Sequence, residues 1–151
     1  MAISITTAMP TSFKVELFQA VHNFTASTGD TFKVALFKEL AASSSTFGVG
    51  TTNYSDMGAD ELPSAGGYTA GGNTLVSITP VAAGSTAVCN FANTTWGAAT
   101  FVTCGALIYN SSKGNKAVAV LSFGGDQQVS SGNFQILFPA ATASTAIIRV
   151  A

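Results

Sequence analysis

The sequence predicts a mainly β fold: an antiparallel β-sandwich of jelly-roll or immunoglobulin-like type, with one N-terminal α-helix and an extended N-terminal arm. Three observations predict it. From residue 75 onward, short apolar runs follow one another with turn-forming residues between them, at the spacing of about 8–12 residues typical of sandwiches. Only one early segment carries a helical repeat. The chain has 151 residues, 47% of them hydrophobic, enough for one core without help from disulfides or metals. The expected organisation is an arm over residues 1–10 and a single sandwich domain over residues 11–151.

In the arm, Ile3 and Ile5 alternate with Ser4 and Thr6, and Pro10 stops a helix from starting earlier. Such an arm can add as a strand to its own sheet or to a neighbour's. The helix is expected at about residues 12–24, capped by Thr11 or Ser12. Phe13, Leu17, Val21 and Phe24 recur at steps of four, four and three, which places them on one face. Val15, Phe18 and Ala20 widen the apolar surface. A helix this short needs something to pack on. Turn formers at residues 25–30 end it.

Residues 31–38 read as a strand, with Phe32, Val34 and Leu36 on one face and Lys33, Ala35 and Phe37 on the other. Residues 39–74 read as a long loop rich in Ala, Ser, Thr and Gly, of the kind that serves function or an interface. Strands follow at about 75–80, 85–92, 100–109, 116–123, 127–129, 134–138 and 145–150. The expected turns are Ala83-Gly84-Ser85, Asn93-Thr94-Thr95, Ser112-Lys113-Gly114-Asn115, Gly124-Gly125-Asp126 and Ser130-Ser131-Gly132-Asn133. The last strand ties the C-terminus into a sheet.

Charge is the most informative part of the composition. Only 9% of residues are charged, against about 25% in an ordinary soluble domain. The net charge is −1, and polarity comes from 16 Ser, 19 Thr, 8 Asn and 4 Gln. A surface so poor in charge tends to associate, and interface centres are themselves depleted of Lys, Glu and Asp. The composition therefore predicts a surface largely covered by other subunits. A hydroxyl-rich surface left in water is the alternative. The six cations, Lys14, Lys33, Lys38, Lys113, Lys116 and Arg149, are scattered, which argues against nucleic acid. No apolar run approaches the ~20 residues of a membrane helix. The first residues lack the basic start and apolar core of a secretory signal, so synthesis in a cytoplasm is expected.

The inventory for chemistry is thin. His22 is the one histidine, and no Gly-x-Ser-x-Gly elbow accompanies it. It reads as a boundary residue suited to a helix C-terminus. Asp56, Asp60 and Glu61 form the one acidic cluster, but they miss the spacing of a Ca²⁺ loop. A solvated loop or a partner contact is the expectation, with no metal and no cofactor. Cys89 and Cys104 are expected on neighbouring strands of a hairpin centred near Trp96-Gly97. Two buried free thiols are preferred to a disulfide, since cytoplasmic synthesis disfavours one. The glycine-rich stretch 66–72 lacks a Gly-Lys-Ser/Thr ending, so it reads as backbone for close packing on a neighbour rather than a phosphate loop. Sequons at Asn23, Asn53, Asn93 and Asn110 are expected by chance in a chain so rich in Ser and Thr. Trp96, Tyr54, Tyr68 and Tyr109 read as core or interface anchors rather than sugar-stacking platforms.

Several stretches carry a resemblance. They are Cys104-Gly105-Ala106-Leu107-Ile108-Tyr109-Asn110, residues 115–126, Gly132-Asn133-Phe134-Gln135-Ile136-Leu137-Phe138-Pro139-Ala140 and Ala146-Ile147-Ile148-Arg149-Val150-Ala151. The opening Phe13-Lys14-x-Glu16-Leu17-x-x-x-Val21-His22-Asn23-Phe24 and the segment Gly67-Tyr68-Thr69-Ala70-Gly71-Gly72 belong with them. Together they resemble a group of small structural proteins of tailed bacteriophages. The resemblance covers most of the chain and rests on structural patterns, so it carries over no functional residue. It implies a non-enzymatic virion component, first of all a capsid decoration (cement) protein bound to copies of itself and to the major capsid protein. A tail, baseplate or fibre-associated subunit is the alternative within that class. A carbohydrate-binding β-sandwich adhesin is the alternative outside it.

Overall fold

In the computed structural model, which describes residues 2–151, the chain runs β1 (Ser4–Ile5), α1 (Thr11–Phe18), β2 (Phe32–Leu36), β3 (Thr46–Phe47), β4 (Asn73–Thr74), β5 (Ser77–Ala83), β6 (Thr86–Phe91), β7 (Thr94–Asn110), β8 (Lys116–Ile136) and β9 (Ile148–Val150). Short 3-10 turns lie at Leu40–Ala42, Tyr54–Asp60 and Ser111–Lys113. The protein is mainly β. One antiparallel sheet has the order β4-β2-β7-β8 and a second has the order β5-β6-β9, while β1 and β3 form a separate parallel pair.

The period-two reading of β2 holds. Phe32, Val34 and Leu36 enter one core with Phe91 of β6 and Ile148 of β9, so this core lies between the two sheets. Ala35 and Phe37 enter a second core with Ile3, Phe47 and Met57 on the opposite face. The four-stranded sheet is thus buried on both sides, and its central strands read as continuous apolar runs for that reason. Phe24 stacks flat on Phe32 at 4.4 Å between ring centroids.

The N-terminal arm is folded in. Ser4 and Ile5 pair with Thr46 and Phe47 of the same chain, Ala8 bridges to Val120, and Ile3 is buried. The exposed surface of 7141 Å² matches the ~7,150 Å² that area scaling gives a compact chain of this mass.

The helix is shorter than its apolar spacing suggests. It spans Thr11–Phe18. It closes in a Schellman arrangement: Val21 N–H donates to the Glu16 carbonyl, Ala20 N–H donates to the Leu17 carbonyl, and Ala20 sits at φ +55°. Val21 and Phe24 therefore lie past its end, and Phe24 reaches the core from a loop. Pro10 is the N-cap, without a capping side chain. Thr11 and Ser12 are inside the first turn and do not cap. Val15 and Phe18 face outward and are 51% and 94% exposed.

The largest correction concerns β7 and β8. The expected turns at Asn93-Thr94-Thr95, Gly124-Gly125-Asp126 and Ser130–Asn133 do not break the chain into short strands. Thr94, Thr95 and Trp96 already pair with Ile136, Gln135 and Phe134. The turn-forming residues of β8 are absorbed as bulges. Thr103 pairs with Gln127 and Gly105 with Ser122, so two steps along β7 match five along β8. Gly124 and Gly125 take φ of +78° and +155° there. A second bulge, with Ser131 at φ +49°, lies between the pairs Phe101–Val129 and Ala99–Gly132. Positive-φ residues mark a hairpin turn or a bulge equally well, and only the partner strand distinguishes them. The expected turns at Gly84 and at residues 112–115 are true turns, with Gly84, Gly114 and Asn115 at positive φ.

Candidate functional site

The ionisable groups converge at one place, where α1, the loop after it, the end of β7 and the start of β8 meet. Glu16 projects from the same helix face as Phe13 and Leu17, inward rather than toward water. Its carboxylate accepts from Lys116 Nζ at 2.7 Å and is 2.8 Å from His22 Nε2. The His22 side chain is fully buried, packed 5.0 Å from the Phe13 ring. His22 Nδ1 lies 2.9 Å from Nδ2 of Asn110, which is itself buried and also donates to Asp30 Oδ2 at 2.8 Å. Asp30 accepts further from Asn23 N–H at 2.9 Å and lies 3.7 Å from Lys113 Nζ.

Electrostatics follow from these contacts. Burial pushes the Glu16 carboxyl up, but the hydrogen bonds from Lys116 and His22 and the Lys116 charge outweigh it and hold the group below the usual carboxylate range. Burial likewise pushes Asp30 up, and the Asn23 N–H, the Asn110 amide and the Lys113 charge bring it below its ordinary value. His22 was expected at a helix C-terminus. It lies four residues past Phe18, with its ring turned inward between a carboxylate and an amide. The sequence reading missed Glu16, Asp30 and Asn110. A signal existed for Glu16, which stands three residues after Phe13 on the apolar face.

A second polar hub is built on Glu61. Its carboxylate accepts from Tyr54 OH at 2.5 Å, Tyr68 OH at 2.8 Å and Gly71 N–H at 2.6 Å. Tyr109 stacks on Tyr54 and donates to the Gly71 carbonyl at 2.7 Å. Burial pushes the Tyr109 phenol up to about 12, with the Glu61 charge adding to it. Burial and Glu61 also raise Tyr68 and Tyr54. Of the acidic cluster, Asp56 instead accepts from the Thr52 and Asn53 N–H groups, in the capping box of the Tyr54–Asp60 turn. Asp60 is buried, and its carbonyl accepts from Lys38 N–H. The three carboxyls thus serve separate partners.

The glycine-rich stretch packs on its own chain, not on a neighbour. Gly72, at φ +69°, lies so close to β2 that a Cβ would sit 1.8 Å from the Val34 carbonyl oxygen. Gly66, at φ +57°, is similarly tight against the Thr100 carbonyl. Trp96, Tyr68 and Tyr109 are buried, as expected of anchors, and Tyr54 is partly covered. Cys89 and Cys104 are free and buried, as preferred. They do not face each other: Cys89 pairs with Ile148 in one sheet, while Cys104 lies in the other. Burial pushes their thiols up, to about 12 and about 11. The four sequon asparagines each use their side chain inside the fold, Asn53 and Asn110 as caps of 3-10 turns.

The outer surface carries large apolar side chains, including Val15, Phe18, Val49, Val76, Val81 and Leu137. Val49 is next to the start of α1, where its carbonyl accepts from Thr11 N–H. No helix among the described residues is long and apolar enough to cross a membrane. Comparison with protein-family models, with curated proteins and with solved structures gives no match.

Proposed function

We propose that this chain is a non-enzymatic structural subunit of a tailed-phage particle, and within it a capsid decoration (cement) protein held by contacts with copies of itself and with the major capsid protein. The observation that carries the reading is the surface. The chain has 6 basic and 7 acidic residues, and several of those are spent inside the fold on Glu16, Asp30, Glu61 and Lys116. What remains outside is hydroxyl-rich and carries Phe18 and Val15 on the outer face of α1. Such a surface gains by burial against other subunits. The use of the histidine fits the same reading: both ring nitrogens face a carboxylate and an amide rather than a hydroxyl or thiol.

The test is to image purified particles with this subunit labelled, and to delete its gene. Label on the head surface, with filled heads that become fragile on deletion, supports decoration. Label on the tail with failed tail assembly moves the subunit to the tail, baseplate or fibre. Particles without label overturn the proposal. The adhesin alternative loses ground because Trp96, Tyr68 and Tyr109 are buried. A glycan array with specific binding would restore it.

A further inference from the structure

We propose that the contact between His22 and Asn110 is an acid-sensitive latch: a second proton on the His22 ring breaks the hydrogen bond that holds residues 22–30 to the turn between β7 and β8. The argument is one of donor and acceptor count. Asn110 Oδ1 accepts from Ser112 N–H at 3.1 Å, which fixes the orientation of its amide. Nδ2 then faces two acceptors, Asp30 Oδ2 at 2.8 Å and His22 Nδ1 at 2.9 Å. His22 Nδ1 must therefore carry a lone pair, and the proton sits on Nε2, directed at Glu16 Oε2 2.8 Å away.

Adding a proton to Nδ1 sets two donors against each other inside a fully shielded site. Turning the Asn110 amide over does not cure this. It would bring Oδ1 against the Asp30 carboxylate and Nδ2 against the Ser112 N–H. The charged groups facing the ring from every packed element are Glu16 on α1, Asp30 in the loop before β2, Lys113 in the turn and Lys116 on β8. Glu16 and Asp30 favour a charged ring, so the proton is taken up and the Asn110 contact is the bond that gives way. Both carboxyls titrate below the usual range, and an imidazole is the side chain whose ordinary titration falls between pH 5 and 8. Mild acid therefore acts on the histidine first. Freed from Asn110, the 22–30 loop keeps only local ties, such as Asn23 N–H to Asp30, and Phe24 loses one of its supports against Phe32.

The experiment uses the whole chain, labelled with ¹⁵N. At pH 7.5 the His22 ring should show a protonated Nε2 and a bare Nδ1. As pH falls to 5, the ring should gain its second proton. In step with it, amide-exchange protection of Asn23 and Ser112, corrected for intrinsic rates, should drop about tenfold. His22→Gln, which cannot titrate, should keep that protection constant over the same range. A proton on Nδ1 at pH 7.5 overturns the latch. So does a ring that charges, or stays neutral to pH 5, with protection unchanged. If His22→Gln fails to fold, the ring shifts and protection of the natural chain decide the matter alone.

Discussion

Glu16 and Lys116 meet at 2.7 Å across one hundred residues of chain. The pair ties the inward face of α1 to the first residue of β8, and Lys116 is itself the cross-strand partner of Asn110. One carboxylate thereby joins the helix, the loop carrying His22 and the long hairpin.

This pairing sets the acid limit of the fold. The Glu16 and Asp30 carboxyls are depressed in the folded state. Their contribution is complete above the unfolded values, 4.5 and 3.8, and is lost as pH falls through the lower folded ones. Urea midpoints measured from pH 7 to pH 2.5 should therefore drop below about pH 4.5. Glu16→Gln should lower stability at pH 7 by about 1–3 kcal/mol and flatten the acid limb. An unchanged acid limb in Glu16→Gln would remove Glu16 from this role.

Gly72 and Gly84 separate two costs of a Cβ. Both have positive φ, +69° and +65°. Gly72 also faces the Val34 carbonyl, whereas nothing lies within 4 Å of Gly84. Gly84→Ala should cost about 1 kcal/mol, from backbone conformation alone. Gly72→Ala should cost at least about 3 kcal/mol, because β2 must move as well. Equal losses in denaturant titrations would contradict the close approach.

Ala20 sits in the left-handed region where a helix end favours glycine. It is exposed, so no packing is lost on removing its methyl group. Ala20→Gly should raise stability by about 0.5–1 kcal/mol. A loss in thermal or urea unfolding would contradict the Schellman closure of α1.

Thiol labelling checks the separation of the cysteines. With the thiols buried and raised to about 12 and about 11, native protein at pH 8 should react slowly with an aromatic disulfide reagent. Denatured protein without reductant should release two thiols per chain at once. Release of none would indicate a disulfide.

Phe18 tests the proposed docking surface apart from folding. At 94% exposure, Phe18→Glu should change stability by no more than about 0.5 kcal/mol. Particle occupancy by the soluble variant should fall at least tenfold in a rebinding assay. Normal occupancy would place the contact elsewhere on the surface.

Much of this fold was legible in local pattern. Period two placed Phe32, Val34 and Leu36 opposite Ala35 and Phe37, and the structure buries the two sets in different cores. Turn chemistry located Gly84 and Gly114, and residue type alone made Trp96, Tyr68 and the cysteines buried. These are properties of neighbours in sequence, so the sequence by itself determined them, together with the scarcity of charge. The tertiary structure decided the rest. Gly124-Gly125 and Ser131 became bulges only because β7 continues opposite them, and the helix stopped at Phe18 because the chain turned left-handed at Ala20. Glu16, His22, Asp30, Asn110 and Lys116 came together from separate elements. Cross-strand register and long-range hydrogen bonds depend on partners many residues away, and a periodicity read along one segment holds no information about which partner arrives.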